Sequence, residues 1–381
     1  MKVLLTLGTR PEAIKLCPLF LHLRSRPQEF VTRICSTGQH RAMLDQVLRA
    51  FEVIPDYDLG VMHPEQSLCG LTARILNGIE GVLEAEKPEM VIVQGDTTTS
   101  LCGALAGFYS GAPVGHVEAG LRTGTSQEPF PEEMNRVLIT RLASLHLAPT
   151  ELAARNLETE GVPSDNIFVT GNSGIDAVVY VQEQLAAGRL KALHAPALRP
   201  ERKLVLVTAH RREKFGPAFE RVCEALRRLA ERGDVEIVYP VHQNPNVWKP
   251  VQRLLGNLPN VILTEPLDYV SFTELLRRAY LVITDSGGVQ EEAPSLGRPV
   301  LVIRENTERL EAVESGSAKL VGSDPERILQ EAARLLDDPA CHQASSGVRQ
   351  LYGDGRASRR IADAIQAYFS RKAAHGKAGQ A

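Results

Sequence analysis

The sequence predicts an α/β fold of two tandem domains, each built around a parallel sheet. Three features lead there. Short apolar runs alternate with amphipathic stretches of helical period along nearly the whole chain. The alternation pauses once, near Thr170-Gly171-Asn172, and restarts at Leu204. The length of 381 residues exceeds what one ordinary core serves.

Composition narrows the function classes. The formal net charge of −3 gives no global basic field, so nucleic acid is not an expected partner. The opening MKVLLTLGTR has too short an apolar run for a signal peptide, and no run approaches a membrane span. Cys17, Cys35, Cys69, Cys102, Cys223 and Cys341 are scattered with no CxxC pair, and read as reduced thiols of a cytoplasmic protein.

In chain order, residues 2–7 form the first expected strand. Gly8-Thr9-Arg10-Pro11-Glu12 turns it into a helix, with Pro11 suited to the first helical position and Glu12 to the positive end of the dipole. Arg10 and Lys15 supply charge where a helix N-terminus binds phosphate. An ordinary turn with solvated cations accounts for the same residues equally well. Strand 31–36, the amphipathic stretch 43–51 and a long helix over 68–86 follow. Met90-Val91-Ile92-Val93 is a run of the kind a parallel sheet buries on both faces.

Past that run the acids accumulate. QGDTTTS places Asp96 at a strand end, and GHVEAGLRTG places Glu118 at the end of the next. PFPEEMNR adds Glu132 and Glu133. Open α/β sheets bind ligands at this carboxyl edge. Carboxylates at neighbouring strand ends suit acid/base work. Any single one of these acids is equally explained as a helix cap or a partner of Arg122 or Arg136. His116-Val117-Glu118 mimics the H-x-E of zinc deaminases, but P-C-x-x-C is absent, so no metal is expected. Strands at 145–147 and 167–169 bring the first half to about six.

A helix over 176–193 and the connector 195–200 lead to the second half. About six strands are expected there, at 204–207, 235–239, 261–263, 281–283, 300–302 and 319–321. Two such domains in tandem place a ligand cleft between them. His210 and His242 each close a strand, which sets them apart from His22, His63, His194 and His342. Thr284-Asp285-Ser286-Gly287-Gly288-Val289-Gln290-Glu291-Glu292 is the strongest local signal of this half. Paired glycines let backbone N–H groups approach an anion, and a Glu one turn into the helix suits ribose hydroxyls. Arg304 and Arg309 follow the next strand. A final amphipathic helix covers 358–369, and 370–381 is expected to fray.

Taken together, GTRPEAIK, QGDTTT, GHVEAGLRT, PEEMNR, HRRE, PVHQNPNV and TDSGGVQEEAPSLG resemble, in this order, the non-hydrolysing bacterial UDP-N-acetylglucosamine 2-epimerases. The likeness runs from residue 1 to about 370. It implies two Rossmann-like domains facing a central cleft, as in nucleotide-sugar glycosyltransferases of the B type. The first domain would be 1–170 completed by helix 358–370, and the second, UDP-binding domain 171–357. The resemblance also implies a homodimer, no cofactor, and a place in cell-envelope polysaccharide biosynthesis. It makes Asp96, Glu118 and Glu132 catalytic carboxylates and His210 a catalytic histidine. Arg10, Lys15, Arg136 and His242 become substrate contacts, Phe272 the uracil contact, and Ser286, Gly287 and Gly288 the diphosphate loop. Glu292 becomes the ribose ligand and Arg309 a further diphosphate contact. The sequence departs from the family pattern where HRREN reads HRREK at Lys214 and TERPE reads TERLE at Leu310. Ala42 and Glu65 stand where some members hold a second, allosteric substrate molecule together with residues such as Gln39 and His40. Weak or absent allosteric activation is therefore expected.

The chemistry that the resemblance implies is reversible inversion at C2 of UDP-N-acetylglucosamine, by elimination of UDP to 2-acetamidoglucal and re-addition. The C2 proton is not next to a carbonyl, and departure of UDP from C1 removes that difficulty. Such a path needs a base, an acid and cations for the leaving diphosphate. Neither NAD nor a metal is required. Three other functions fit the same chain: a hydrolysing epimerase releasing N-acetylmannosamine, a glycosyltransferase of the same fold, and a nucleotide-sugar-binding regulator. The four candidate catalytic groups argue against the last.

Overall fold

The computed structural model describes residues 1–38, 41–63, 66–127, 129–209, 216–307, 309–348 and 350–378. The chain divides into two compact units, Met1–Tyr180 with Tyr352–Ala381, and Val181–Leu351. Each is α/β with one parallel sheet flanked by helices, the Rossmann-like pattern.

The first unit carries β1 (Lys2–Leu7), α1 (Arg10–Arg24), β2 (Val31–Ser36), α2 (Arg41–Ala50), β3 (Tyr57–Asp58), α3 (Leu68–Glu86), β4 (Met90–Gln94) and α4 (Thr98–Tyr109). It continues through β5 (Val114–Val117), α5 (Glu132–Leu142), β6 (Leu145–Ala148), α6 (Glu151–Thr159), β7 (Ile167–Val169) and α7 (Ser173–Ala186). The unit boundary falls inside α7. Its seven strands run in the order β3-β2-β1-β4-β5-β6-β7, all parallel. Helices on both faces bury the central strands, and the β4 run is apolar on both sides: Met90, Val91, Ile92 and Val93 are each fully buried.

The second unit carries β8 (Lys203–Thr208), α8 (Pro217–Ala230), β9 (Val235–Pro240), α9 (Pro245–Leu255), β10 (Val261–Thr264), α10 (Tyr269–Arg278) and β11 (Leu281–Thr284). α11 (Gly287–Ser295), β12 (Val300–Val302), α12 (Leu310–Glu314), β13 (Ala318–Leu320), α13 (Pro325–Asp337) and α14 (Pro339–Ser345) complete it. Its strand order is β10-β9-β8-β11-β12-β13, again all parallel. Val205, Val207, Ile237, Tyr239 and Ile283 on the sheet pack with Val222, Leu226, Val251 and Ile328 on the helices. Each buried aliphatic contributes about 1.5–3 kcal/mol.

The last helix, α15 (Ala357–Ala378), belongs to the first unit. Its start is capped from α7. Asp176 accepts from the Ala357 N–H at 3.1 Å and from the Ser358 N–H at 2.8 Å, two donors that have no partner within the helix. Just past the end of α1, Arg26 donates to Asp363 and Gln366 of α15.

Three expectations differ from the structure. The first sheet has a seventh strand, β3, only two residues long and too short to leave a periodic signal. α7 begins at Ser173 and stops at Ala186, short of the expected end at 193. Gly188, at φ 70°, supplies the left-handed residue on which helices commonly end. Residues 370–378, expected to fray, continue α15 as helix.

Both sheets reverse strand order at one point, between β1 and β4 in the first unit and between β8 and β11 in the second. Loops leaving the sheet there diverge and leave a crevice at the carboxyl edge. In one unit those loops carry Asp96 and lead into Arg10, and in the other they carry Ser286.

Candidate active site

In the first unit, Glu12 ties the two diverging loops together. Its carboxylate accepts from the Gly8 N–H at 3.0 Å, the Thr9 N–H at 2.8 Å and the Thr9 hydroxyl at 2.8 Å on its own loop. From the loop after β4 it accepts the Thr97 hydroxyl at 2.7 Å and the Ser100 hydroxyl at 3.0 Å. Burial pushes this carboxyl above its ordinary value, and the hydrogen bonds oppose that shift. Arg10, half-buried, is the first residue of α1.

Glu118 follows β5 with φ 66°, an uncommon conformation for a residue with a side chain, costing about 1–3 kcal/mol. The turn directs the carboxylate toward Lys15, whose Nζ meets Oε1 at 2.5 Å with both side chains largely buried. Gln94, the last residue of β4, donates to Oε2.

Asp96 accepts from Arg136 of α5. The same guanidinium donates to Glu133 Oε2 at 2.7 Å, and Glu133 Oε1 accepts the Thr123 N–H at 3.0 Å. Arg136 and Glu133 are both buried, so the pair is fixed rather than a solvated surface contact. Glu132, the first residue of α5, has an Oε2 atom that is buried without a hydrogen-bond partner among the described residues.

Lys15, Asp96, Glu118 and Arg136 are thus each held in polar contacts at one sheet edge, with Glu132 one residue from Glu133. His210 lies outside the described residues, as do Gln39, His40, Glu65 and Lys214. The side chain of Ala42 does too.

His116, which mimicked a metal motif, is completely buried. Its Nε2 meets the Gly95 carbonyl oxygen at 2.7 Å, and burial lowers its pKa to about 3. Among the described residues no group of three or more His, Cys, Asp or Glu gathers as a metal site.

In the second unit, the Ser286 N–H donates to the Thr284 hydroxyl at 2.9 Å, and that hydroxyl meets the Thr208 hydroxyl at 2.5 Å. These contacts fix the loop that opens α11. A Cβ placed on Gly287 would lie 2.9 Å from Arg309 Cζ, so the guanidinium packs on the bare Cα at the helix start. Glu291 accepts from Arg309 Nε at 2.9 Å, with both side chains buried. Thr307 donates to Gln290 at 2.7 Å, and Gln290 donates to the Ser286 carbonyl at 3.2 Å. A positive helix end with a guanidinium beside it is the kind of arrangement that suits an anion. Glu292 lies one turn into α11, within 3.9 Å of where a Gly288 side chain would begin. Phe272 is half-buried on α10. His242 accepts the Asn244 N–H on Nδ1 at 3.1 Å, which leaves the neutral ring's proton on Nε2. Leu310, where the family pattern has Pro, is the exposed first residue of α12.

Sequence reasoning missed four supporting residues. Glu12 had a readable signal, the T-x-x-E capping box from Thr9, though not its bonds to Thr97 and Ser100. Gln94, Gln290 and Thr307 act through contacts that no local pattern marks.

Residues 22–366 match the family described as UDP-N-acetylglucosamine 2-epimerase. The chain belongs to the UDP-N-acetylglucosamine 2-epimerase family. The UDP-N-acetylglucosamine 2-epimerase of Escherichia coli strain K12 is 51% identical over 371 residues, covering 96% of this chain and 98% of that one. The Campylobacter jejuni protein of the same name is 48% identical, covering 94% and 96%. Among solved structures, the Neisseria meningitidis UDP-GlcNAc 2-epimerase bound to UDP-GlcNAc superposes with a TM-score of 0.91 at 44% identity, covering 96% of this chain and all of that one. The Methanocaldococcus jannaschii epimerase in complex with UDP-GlcNAc and UDP gives 0.80 at 32%, covering 96% and 99%. A kitacinnamycin glycosyltransferase shares the epimerase fold alone, with a TM-score of 0.63 at 14% identity. Among the described residues of this family member, no helix is long and apolar enough to cross a membrane.

Proposed function

We propose that this chain interconverts UDP-N-acetylglucosamine and UDP-N-acetylmannosamine without hydrolysis. A carboxylate takes the C2 proton, the C2–H electron pair becomes the C1=C2 bond of 2-acetamidoglucal, and the C1–O pair leaves with UDP. Re-addition reverses these steps, with the proton delivered to the opposite face of C2 and a diphosphate oxygen attacking C1. Asp96, Glu118 and Glu132 supply the acid and base, assisted by His210. Arg10, Lys15 and Arg136 place positive charge at the same sheet edge. Ser286, Gly287, Gly288 and Arg309 bind the diphosphate, Glu292 the ribose and Phe272 the uracil, with His242 a further contact. The same proposal has the enzyme act as a homodimer in the cytoplasm.

The observation that carries this reading is the 51% identity, over 96% of the chain, to a protein named UDP-N-acetylglucosamine 2-epimerase. The carboxylates support it, since a glycosyl transfer alone does not call for so many acids at one sheet edge. A proton spectrum of purified protein with UDP-N-acetylglucosamine, and nothing else added, tests it. The anomeric signal of UDP-N-acetylmannosamine should grow to an equilibrium. Accumulation of free N-acetylmannosamine with UDP would establish the hydrolysing reaction instead.

A further inference from the structure

His116 occupies the middle of a strand buried on both faces, where an apolar side chain would serve packing as well. Its Nδ1 is buried with no hydrogen-bond partner among the described residues, a cost with no packing return. Its Nε2 meets the Gly95 carbonyl oxygen at 2.7 Å. A carbonyl can only accept, so Nε2 carries the proton and the ring is the neutral Nε2–H tautomer. The low pKa of the ring agrees with that assignment.

The Gly95 carbonyl belongs to the peptide plane that ends on the Asp96 nitrogen. The next plane, from Asp96 to Thr97, is held from the other side. Asn135, buried on α5, donates from Nδ2 to the Asp96 carbonyl oxygen at 2.8 Å. Peptide units are rigid, so holding the planes on both sides of one Cα holds its two dihedral angles and the direction of its side chain. Gly95 itself turns at φ 71°, and its N–H donates to the Val117 carbonyl at 2.9 Å. The backbone of the turn that carries Asp96 is therefore fastened to β5 by one backbone bond and one imidazole and to α5 by the Asn135 amide, while Arg136 of α5 holds the Asp96 side chain itself.

We propose that His116 and Asn135 are positioning residues that clamp the two peptide planes flanking Asp96 and so aim its carboxylate. The proposal rests on the reading of Asp96 as an acid/base group in the C2 inversion. Displacement of such a group by about 1 Å is worth on the order of a hundredfold in rate.

The test compares His116→Phe, His116→Gln and Asn135→Ala with the wild type. A glutamine amide nitrogen reaches about as far from Cβ as imidazole Nε2 does, so His116→Gln keeps the donor while His116→Phe removes it. For each variant, kcat and KM for UDP-N-acetylglucosamine, UDP affinity by calorimetry, and the melting temperature are measured. His116→Phe should lose about thirtyfold or more in kcat while KM and the UDP dissociation constant stay within about threefold. His116→Gln should recover to within about fivefold of wild type, and Asn135→Ala should lose about tenfold in kcat. A role in packing alone lowers the melting temperature, leaves kcat of the folded fraction unchanged, and shows no rescue by glutamine. Folded His116→Phe with kcat within about threefold of wild type overturns the proposal. If that variant does not fold, Asn135→Ala decides by the same margin. Wild-type protein that fails to interconvert the two sugars is a separate outcome, which removes the functional reading and the clamp with it.

Discussion

Lys15 and Glu118 stand 103 residues apart in sequence, and the ammonium of one meets a carboxylate oxygen of the other at 2.5 Å. Gln94 holds the second oxygen, so each oxygen has its own donor and the side chain has one orientation. Three elements of the first unit, α1, β4 and the turn after β5, converge on this carboxylate.

Removing ionisation while keeping shape isolates the role of each acid. Asp96→Asn, Glu118→Gln and Glu132→Gln should each lower turnover about a hundredfold or more. Lys15→Met, which leaves Glu118 Oε1 without its ammonium, should fall in the same range. UDP affinity should change far less, because Ser286, Gly287 and Arg309 belong to the other unit. Near-wild-type turnover in all four variants, measured by coupled assay, would return these residues to a structural role.

Gly287→Ala should weaken UDP binding. The new Cβ would lie 2.9 Å from Arg309 Cζ, and the buried bond to Glu291 keeps the guanidinium from swinging aside. A rise of about tenfold or more in the UDP dissociation constant corresponds to about 1.4 kcal/mol. At Gly288 the nearest atom, Glu292 Oε1, is 3.9 Å away, so Gly288→Ala should be milder. Calorimetric titration with UDP checks both, and equal affinities for wild type and Gly287→Ala would contradict the Arg309 account.

Stability should carry a histidine signature in mild acid. Burial lowers His116 to about 3 and His146 to about 4, against an ordinary value of 6.5. Below 6.5 the unfolded chain protonates both while the folded chain does not. Each therefore contributes stability that is complete above pH 6.5 and lost as pH falls toward its folded value. Glu12 and Asp176, raised by burial, act with the opposite sign above ordinary carboxylate values. Comparison with His146→Gln cancels the carboxylates and His116. Between pH 6 and 4.5 the wild-type unfolding free energy should fall more steeply than the variant's, by up to about 1.4 kcal/mol per pH unit. Parallel slopes from urea unfolding would show that His146 is protonated in the folded protein.

Much of this was legible because local physics marks it. Met90-Val91-Ile92-Val93 announces a strand buried on both faces, and the polar residue after such a run must fall at the sheet edge. Ser286-Gly287-Gly288 marks a turn into a helix, and the bare Gly287 Cα is where Arg309 packs. What was not legible depends on contacts between distant segments. Glu12 reads as a dipole-favoured acid at a helix start, and only folding brings Thr97 and Ser100 to it. His116 looked like half of a metal motif, and its actual partner is a carbonyl one strand away. β3 holds two residues, too few for any period to show. The end of α7 was set by Gly188 rather than by the decay of its apolar stripe.

Epimerisation in D2O tests the central claim most directly. If the C2 proton leaves to a carboxylate and another returns from an exchangeable carboxyl group, each product molecule must carry solvent hydrogen at C2. With wild-type protein and UDP-N-acetylglucosamine, the account predicts UDP-N-acetylmannosamine deuterated at C2 from the first turnovers, with the C2 proton resonance absent. Product that retains hydrogen at C2 would contradict elimination and re-addition through Asp96, Glu118 and Glu132.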